Sequence, residues 1–424
     1  MPAVTTYDPQ NKALRQLADD ELAQRRVTIN RIRAYYEGEH PNQLGDKVDN
    51  IVLNLCKQVI DQSTAFLIPK MPIFELDNNQ ADTSDREKWL SGVWETNGGA
   101  NLVHGLALNG ALAGHVFARI VPQSPYPRIV PLNPANVIVW WRADDYQTVL
   151  AYEIRWEAPD GRYRQDVYKD VYDVYKEETR WIVRDYTQPH AKSSRRMSAS
   201  AEWTLVNEAH YPTCPIVSWG HLSAPNVHYG RDELGGLVAL NLHINKVASD
   251  INSILRYHAY PTTVGTGFSA KDVQETRIDG FLTIPDKDAR VFNVEMQSEL
   301  TSSLALLDRL ENHFLGIARV VMVRGGVDAF RGMTNLGVRT AFLPMIMKNE
   351  QLRRAYGAGL REISRRVLAY CPHPRSDAMG HEAIAVHWGD ALPTDRADEV
   401  AVVLQELGAE LIDKETAKNR LMVR

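Results

Sequence analysis

The sequence contains few cysteines, and the three that it has, Cys56, Cys214 and Cys371, lie far apart. An odd and dispersed set does not indicate a disulfide framework, so we expect a reducing compartment. Long apolar runs are also missing, since no stretch of about 18 apolar residues occurs. The first residues lack the apolar segment of a signal peptide. The sequence therefore predicts neither a membrane span nor a secretory leader.

Positive charge is not in excess. Lysine and arginine number 48 and aspartate and glutamate number 53, so the formal net charge is −5. This balance excludes the simplest class of DNA-binding protein, a domain coated with positive charge, but not a protein that surrounds DNA without gripping it. The hydrophobic fraction of 44% and the charged fraction of 24% are typical of a globular protein. The length suggests roughly two to four folding units.

Sequence motifs of common enzymes are absent. No phosphate-binding G-x-x-x-x-G-K-[ST] loop, H-E-x-x-H, G-x-S-x-G or paired C-x-x-C occurs, so we predict no ATP-driven motor and no enzyme. Two pairs, His210 with Cys214 and Cys371 with His373, are conceivable metal ligands. Isolated pairs fall short of the four ligands of a closed zinc site, so we favour structural roles for them. The sequence predicts no cofactor and no bound metal.

Adjacent carboxylates leave a metal-dependent nuclease as one alternative. Asp144 and Asp145 are neighbours, and Asp286 lies two residues before Asp288. Both pairs fall in predicted turns, where aspartate is common because its side chain bonds to the nearby backbone. We therefore favour the turn interpretation.

A helix-turn-helix DNA-binding regulator is the other alternative. Two helices are predicted at the end of the chain, at 395–407 and 413–422, and Thr416–Arg420 would be the recognition helix. Acidic residues dominate the first of these helices, which favours a plain packed helix pair.

Hydrophobic periodicity predicts an α+β fold with a helical start, a β-rich middle and a helical second half. Residues 115–220 alternate and are rich in aromatic and β-branched side chains, which predicts an antiparallel meander. The predicted helices before the final pair span residues 11–37, 49–66, 84–95, 101–113, 231–257, 298–318 and 336–370.

Two of these helices, 231–257 and 298–318, flank a compact insert at 261–297. Its pattern predicts a β-like start, a polar helix at Ser269–Glu275, and strands around residues 280–284 and 290–294. The third long helix, 336–370, contains Pro344. Proline removes a backbone donor and clashes with the preceding turn, which predicts a kink at this position.

The segment between residues 319 and 339 is basic and rich in glycine. It contains Arg319, Arg324, Arg331 and Arg339, opposed only by Asp328, together with Gly325, Gly326 and Gly332. One interpretation is a flexible loop that contacts DNA phosphates without reading bases. The other is a solvated connector. The pattern alone does not separate the two.

Several stretches, taken in their order along the chain, resemble one known family. They are Arg33–His40, Asn50–Asp61, Phe66–Pro72, Ala111–Phe117, Leu132–Ala135, Tyr229–Leu234, Ser249–Asp250, Tyr260–Pro261, Ala391–Asp395 and Leu411–Thr416. Over roughly residues 25–420 the sequence is similar to the portal proteins of tailed double-stranded-DNA bacteriophages, which form the head-to-tail connector. The family often has a larger C-terminal crown. Here the crown is either minimal or trimmed.

The resemblance implies an α+β portal-protein fold with an α/β wing, long stem helices, a small α/β clip and a short helical crown. The implied segments are a wing at 1–230, stem helices at 231–260 and 298–320, a clip at 261–297, a tunnel loop at 321–336, a kinked tunnel helix with further wing at 337–392, and a crown at 393–424. By this resemblance the DNA-facing loop residues are Arg324, Gly325, Gly326 and Arg331. The clip residues that dock a motor or an adaptor are Lys271, Asp272, Glu275, Arg277, Asp286 and Lys287.

The function implied by the resemblance is non-enzymatic. About twelve copies would form a ring around a DNA channel at one capsid vertex, used for genome packaging, retention and ejection. The implied partners are double-stranded DNA, the large terminase subunit, a head-tail adaptor, and the major capsid and scaffolding proteins, with no membrane. The protein would be assembled in the host cytoplasm and reside in the virion.

Overall fold

The computed structural model describes residues 12–41, 50–77, 83–142, 145–158, 161–169, 181–188, 203–211, 213–225, 227–259, 262–266, 274–275, 282–283, 288, 290–294, 300–322, 335–373, 383–392 and 396–409. Contacts divide the chain into two compact units. The large unit comprises Met1–Ile32, Ile60–Glu233 and Val320–Arg424, and the small unit comprises Arg33–Val59 and Leu234–Arg319.

The fold is α+β, as the sequence predicts. The helices of the described residues are α1 (Lys12–Glu37), α2 (Leu55–Leu67), α3 (Ser84–Thr96), α4 (Ala100–Ala113), α5 (Val238–Ala259), α6 (Leu300–Ala318), α7 (Asn335–Ala341), α8 (Leu343–Leu368) and α9 (Arg396–Gly408). None of them combines the length and the hydropathy that a membrane span requires. The predicted helix 413–422 lies outside the described residues.

The strands of the large unit form three antiparallel sheets among the described residues. A five-stranded meander runs in the order β4 (Val137–Arg142), β5 (Asp145–Ala158), β6 (Gly161–Lys169), β7 (Trp181–Gln188) and β8 (Thr204–Tyr211). A three-stranded sheet has the order β3 (Arg128–Pro131), β2 (His115–Val121) and β9 (Ile216–Gly220). The third pairs β1 (Ile73–Asp77) with β14 (Ala383–His387).

The prediction of one continuous meander over 115–220 is therefore wrong at its two ends. Strand β2 bonds to β3 on one edge and to β9 on the other. Because both of its edges are occupied, β2 does not join the five-stranded sheet.

Strand β4 is buried on both faces of the meander. Its alternate residues Val137, Val139 and Trp141 belong to a core with Phe117 and Ile216. The residues between them, Ile138 and Trp140, pack against Ala18 and Leu22 of α1. Side chains of a strand point alternately to opposite faces, so the uninterrupted apolar run of β4 fits burial on both sides.

The largest core of the large unit lies between helices α3, α4 and α8 and strands β2 and β9. Helix α8 approaches β9 closely at Gly359, where an added Cβ would lie 2.4 Å from the ring of Trp219. Gly114 ends α4 with a φ of +76° and precedes β2. Glycine adopts this left-handed conformation without steric cost.

Helix α5 begins at Val238, seven residues later than the sequence predicts. The preceding segment is held in a non-helical conformation by the large unit. The backbone N–H of Arg231 donates to the carbonyl of Leu222, and that of Glu233 donates to the carbonyl of Ala111. Periodicity in the sequence does not reveal these distant backbone partners.

Candidate functional site

Most of the residues predicted to act in function lie outside the described residues. They are the loop residues Arg324, Gly325, Gly326 and Arg331 and the insert residues Lys271, Asp272, Arg277, Asp286 and Lys287. Glu275 is described and lies in strand β11 (Gln274–Glu275), opposite Leu282 of β12 (Leu282–Thr283). The polar helix predicted over Ser269–Glu275 is therefore wrong at its end, because these residues pair as a strand.

The small unit contains the helix pair and the insert that the sequence predicts. Helices α5 and α6 pack against each other. Between them in the chain, β10 (Thr262–Thr266) pairs with β13 (Arg290–Val294) in an antiparallel register from Thr262 opposite Val294 to Thr266 opposite Arg290. This pairing brings the first and last strands of the insert side by side. The insert therefore enters and leaves the helix pair at one place.

Three polar side chains on one face of α5 bind an extended segment before α2. The Oγ of Ser249 accepts from the N–H of Ile51 at 2.9 Å, and the Oδ1 of Asn245 accepts from the N–H of Leu53 at 3.0 Å. Asn241 accepts from the N–H of Cys56 at 3.2 Å and donates to the carbonyl of Leu53 at 2.8 Å. Spacing of four residues places the three side chains on one helix face.

These hydrogen bonds explain why α2 begins at Leu55 rather than at residue 49 as predicted. Residues 50–54 form no regular secondary structure, and the N–H groups of Ile51 and Leu53 are bonded to side chains of α5. Buried backbone groups need partners, and the polar face of α5 supplies them. The signal in the sequence was the four-residue repeat of Asn241, Asn245 and Ser249 along one face of the helix.

Helix α6 ends at a backbone conformation that is unusual for its residue. Arg319 has a φ of +54°, and its N–H donates to the carbonyl of Gly316 at 3.2 Å. A left-handed residue at this position commonly closes a helix, although glycine is the usual choice. Helix α6 therefore ends abruptly at Arg319, the first arginine of the basic segment.

The single kinked helix predicted for residues 336–370 is two helices in the structure. Helix α7 ends at Ala341, Phe342 caps α8, and Pro344 lies in the first turn of α8. In the first turn the missing N–H of proline costs no helical hydrogen bond. Pro344 thus lies at the start of a helix rather than at a kink within one. The ring of Phe342 stacks on that of Phe66, with ring centroids 6.4 Å apart.

A buried polar network lies in the large unit and includes Lys348 of helix α8. Glu233 accepts from the ammonium of Lys348, from the Oγ of Ser63 at 2.7 Å, and from the Nε2 of His221 at 3.0 Å. The Nδ1 of His221 lies 2.7 Å from the hydroxyl of Tyr356. The hydroxyl of Tyr356 also donates to the carbonyl of Ala107 at 3.4 Å.

Burial by itself would raise the pKa of Glu233. The hydrogen bond from His221 and the charge of Lys348 outweigh burial and hold this pKa at about 2. Glu233 is therefore ionised at neutral pH and neutralises a lysine that is almost fully buried. The network connects helices α2 and α8 with the segment 221–233. Sequence patterns do not reveal this network, because its members are far apart in the chain.

The metal sites considered from the sequence do not form among the described residues, where no cluster of three or more His, Cys, Asp or Glu side chains occurs. His210 lies 3.3 Å from Glu208 in strand β8, and Cys214 is buried. Burial raises the pKa of the Cys214 thiol to about 11. Cys371 and His373 follow α8, and the carbonyl of His373 accepts from Arg86. Asp144 and Asp286 lie outside the described residues.

An open cavity of about 570 Å³ lies in the large unit beside the start of β2. Its lining includes the aromatic side chains of His115, Trp141, Tyr152, Trp181 and Trp219. Desolvation by burial lowers the pKa of His115 to about 3, so its ring is neutral at physiological pH.

Comparison with known protein families gives a match over nearly the whole chain. A family model described as "Phage portal protein, SPP1 Gp6-like" matches residues 16–423. No curated protein matches the sequence. A solved chain from the "Virion of native gene transfer agent (GTA) particle" matches with 12% sequence identity and a TM-score of 0.46 over 93% of this chain and 92% of that chain.

Proposed function

Since the chain belongs to the SPP1 Gp6-like family of phage portal proteins, we propose that it assembles into a ring around a DNA channel at one vertex of a capsid. The ring would contain about twelve copies, as the resemblance to the family implies, and a repeated head-to-tail contact would close it. It would serve genome packaging, retention and ejection. The role is structural, and the proposal assigns no reaction to the chain.

Exposed apolar side chains in the small unit support ring assembly in addition to the family match. Helices α5 and α6 pack against each other and leave apolar side chains in water, with Leu255, Leu304 and Leu306 about half exposed and Ile317 exposed to 64%. Exposed apolar residues on a long helix support contact with another protein surface. In a ring, neighbouring copies of the helix pair would cover them.

The charge of the chain supports a channel through which DNA slides. At −5 per copy, a ring has no general excess of positive charge. A strongly basic ring would release counterions from the DNA and hold it tightly. Contact with phosphates is instead assigned to Arg324 and Arg331 in the segment proposed as the tunnel loop, 321–336.

The insert between α5 and α6 is proposed as the docking surface of the packaging motor and later of a head-tail adaptor. The pairing of β10 with β13 supports this proposal, because the insert can project from one place on the helix pair. We assign the contacts to Lys271, Asp272, Glu275, Arg277, Asp286 and Lys287. The proposed partners are the large terminase subunit and the adaptor, with capsid and scaffolding proteins around the ring. The site of action is the virion, after assembly in the host cytoplasm.

The mass of the native assembly tests the ring. We expect particles of about twelve times the chain mass of 47.9 kDa, with ring-shaped projections by electron microscopy. Leu306→Asp should leave the chain folded and shift the mass toward the monomer, because the charge would be desolvated in the contact. Asn312→Asp, an exposed position on the same helix, serves as the matched control. A native wild-type protein that stays monomeric or dimeric under all conditions would contradict the proposal.

A deletion within the insert tests the docking surface. Residues 267–289 are replaced by an Asn-Gly turn, which joins Thr266 to its partner Arg290 and keeps β10 and β13 paired. We expect this variant to form rings of normal symmetry and to lose binding of the large terminase subunit. Undiminished binding of that subunit would show that docking occurs elsewhere.

A further inference from the structure

Helix α8 concentrates positive charge in a chain whose formal net charge is −5. Between Glu350 and Arg366 its sequence contains five arginines and two glutamates, an excess of three positive charges. A local excess of one sign attracts ligands of the opposite sign, whatever the net charge of the whole chain. The exposed face of this helix is therefore a candidate surface for an anion.

Three of the five arginines are bonded within the chain. Arg353 donates to the carbonyl of Gly389 at 2.5 Å. Arg365 and Arg366 donate to the carboxylate of Glu362 at 2.7 and 2.6 Å. These three side chains are held in position by their own copy.

The other two arginines, Arg354 and Arg361, are exposed. They form no hydrogen bond and no ion pair with any residue that the structure describes. Seven residues along a helix are about two turns and about 10 Å, so the two guanidinium groups lie on the same face. A guanidinium group presents several N–H donors in a geometry that matches phosphate and carboxylate oxygens.

Helix α8 is a rigid support for these two arginines. Its opposite face belongs to the largest core of the large unit, with Leu352, Tyr356, Leu360 and Ile363 buried. Gly359 on the same helix lies directly against the ring of Trp219. A ligand that binds to a helix fixed in this way does not have to order the backbone beneath it, which lowers the entropic cost of binding.

The exposed residues of α8 between 354 and 365 are Arg354, Ala358, Arg361 and Arg365. We call these four residues the arginine stripe. At about 100° per residue they lie within about 60° of the helix circumference. A protein interface has an apolar core inside a polar rim, and the only apolar side chain among these four is the methyl group of Ala358. The arginine stripe therefore fits an extended anion better than the surface of a folded protein.

A second copy of the chain offers few free carboxylates to the arginine stripe. Five exposed carboxylates of the large unit are already bonded to side chains of their own copy, namely those of Asp20, Glu75, Asp85, Glu208 and Asp390. To bind a neighbouring copy, such a carboxylate would have to leave its present partner. Phosphate groups from outside the chain have no such competitor.

We propose that the arginine stripe binds the phosphate backbone of double-stranded DNA. This proposal rests on the proposed ring function, which brings DNA to the protein, and it adds a contact outside the segment 321–336. Arg354 and Arg361 donate to phosphate oxygens, while Arg365 remains bonded to Glu362 and adds positive charge beside them. Contacts with phosphates carry no sequence information, so the stripe binds any duplex.

Fluorescence anisotropy with the full-length protein and a short labelled duplex of random sequence tests this contact. Arg354→Gln combined with Arg361→Gln removes both free charges, and glutamine is a good helix former. We expect the dissociation constant at low salt to rise about tenfold or more, because phosphate contacts dominate such binding. The slope of log affinity against log salt should also become shallower, by about 0.9 for each phosphate contact that is lost. A second duplex of unrelated sequence should show the same changes.

The matched control, Arg31→Gln with Arg128→Gln, removes the same charge from exposed positions on α1 and β3. It should bind DNA like the wild type. Arg354→Lys combined with Arg361→Lys keeps the charge and should retain most of the affinity, since lysine also binds phosphate as a point charge. Equal losses in the control and in the glutamine variant of the stripe would show an effect of net charge alone and would overturn the proposal.

Native mass, measured on every variant, separates the stripe from the ring function. The glutamine variant of the stripe should form particles of wild-type mass. Rings with undiminished DNA binding would overturn the stripe and leave the ring function standing. Rings that dissociate in this variant would show that the stripe contacts a neighbouring copy, and would also overturn the proposal. If the wild type forms no ring, the ring function fails, while a selective loss of DNA affinity in the variant would still support the contact.

Discussion

The ammonium of Lys348 donates to a carboxylate, that of Glu233, whose side chain has no exposed surface. Between them the two residues connect helix α8 to the segment that precedes α5, 115 positions earlier in the sequence. Ser63 and His221 satisfy the second carboxylate oxygen. Since every member is bonded, the network orients the elements around it without leaving a buried charge uncompensated.

Removal of one partner of this ion pair should be costly. Lys348→Met leaves the charge of Glu233 buried, and we expect the free energy of unfolding to fall by about 3–5 kcal/mol. Urea denaturation of the purified chain measures the change. The double variant Glu233→Leu with Lys348→Met should lose less than the sum of the two single variants, because neither charge remains unpaired. A loss below about 1 kcal/mol for Lys348→Met would contradict the burial of the pair.

Glu233 also predicts how stability depends on acid. Its pKa is about 2 in the folded chain against an ordinary value of 4.5, so the folded state favours the ionised form. The stabilisation is complete above pH 4.5 and is lost as the pH falls from 4.5 toward 2. Denaturation midpoints measured through this window should fall more steeply for the wild type than for Glu233→Gln. Parallel curves would show that this carboxylate is not the titrating group.

His115 acts at a higher pH. Burial lowers its pKa from 6.5 to about 3, so the folded state favours the neutral ring. Stability should therefore fall as the pH drops from 6.5 toward 3, since the unfolded chain binds the proton more readily. His115→Phe should flatten the pH dependence most clearly between about 6.5 and 5.5, where Glu233 is ionised in both states. An unchanged slope in the variant would contradict the assignment.

The polar face of α5 predicts a local loss of stability in the small unit. Asn245→Leu leaves the N–H of Leu53 without its acceptor, and we expect a loss of about 1–3 kcal/mol. Hydrogen exchange should also accelerate at Ile51 and Leu53. Lys246→Leu, on the exposed face of the same helix, is the matched control and should leave that exchange unchanged.

The basic segment before α7 leads us to expect an effect of its arginines on DNA packaging. Arg324→Ala combined with Arg331→Ala should leave ring assembly intact and lower packaging efficiency or retention of packaged DNA. The effect should be independent of DNA sequence and should weaken at high salt, because contacts with phosphates are screened. Packaging assays with two unrelated DNA sequences measure it. Wild-type efficiency in the double variant would favour the interpretation of this segment as a solvated connector.

The predicted helices that end at glycine or proline signals are confirmed by the structure. Helix α1 ends at Glu37, directly before Gly38 and Glu39, as the glycine and proline signals predict. Helix α3 closes at the Asn-Gly-Gly stretch that follows Thr96. These stops are local, because they depend on the backbone conformations that glycine and proline allow or forbid.

Other helix boundaries depend on partners that are distant in sequence. The start of α2 is set by α5, whose side chains accept hydrogen bonds from backbone N–H groups of residues 51–56. The break between α7 and α8 occurs at Phe342, whose ring stacks on Phe66 of α2. A window of neighbouring residues contains no information about such contacts, so both boundaries were misplaced.

The sequence by itself determined the α+β class, the order of helices and strands, the helix pair around the insert and the resemblance to portal proteins. Periodicity, turn residues and charge are local properties of the chain, and they suffice for these conclusions. Only the tertiary structure decided that Glu233 meets Lys348, that β2 leaves the meander, and that aromatic residues from several elements enclose a cavity. Each of these features joins residues far apart in the chain, and such residues become neighbours only when burial of the core has folded it.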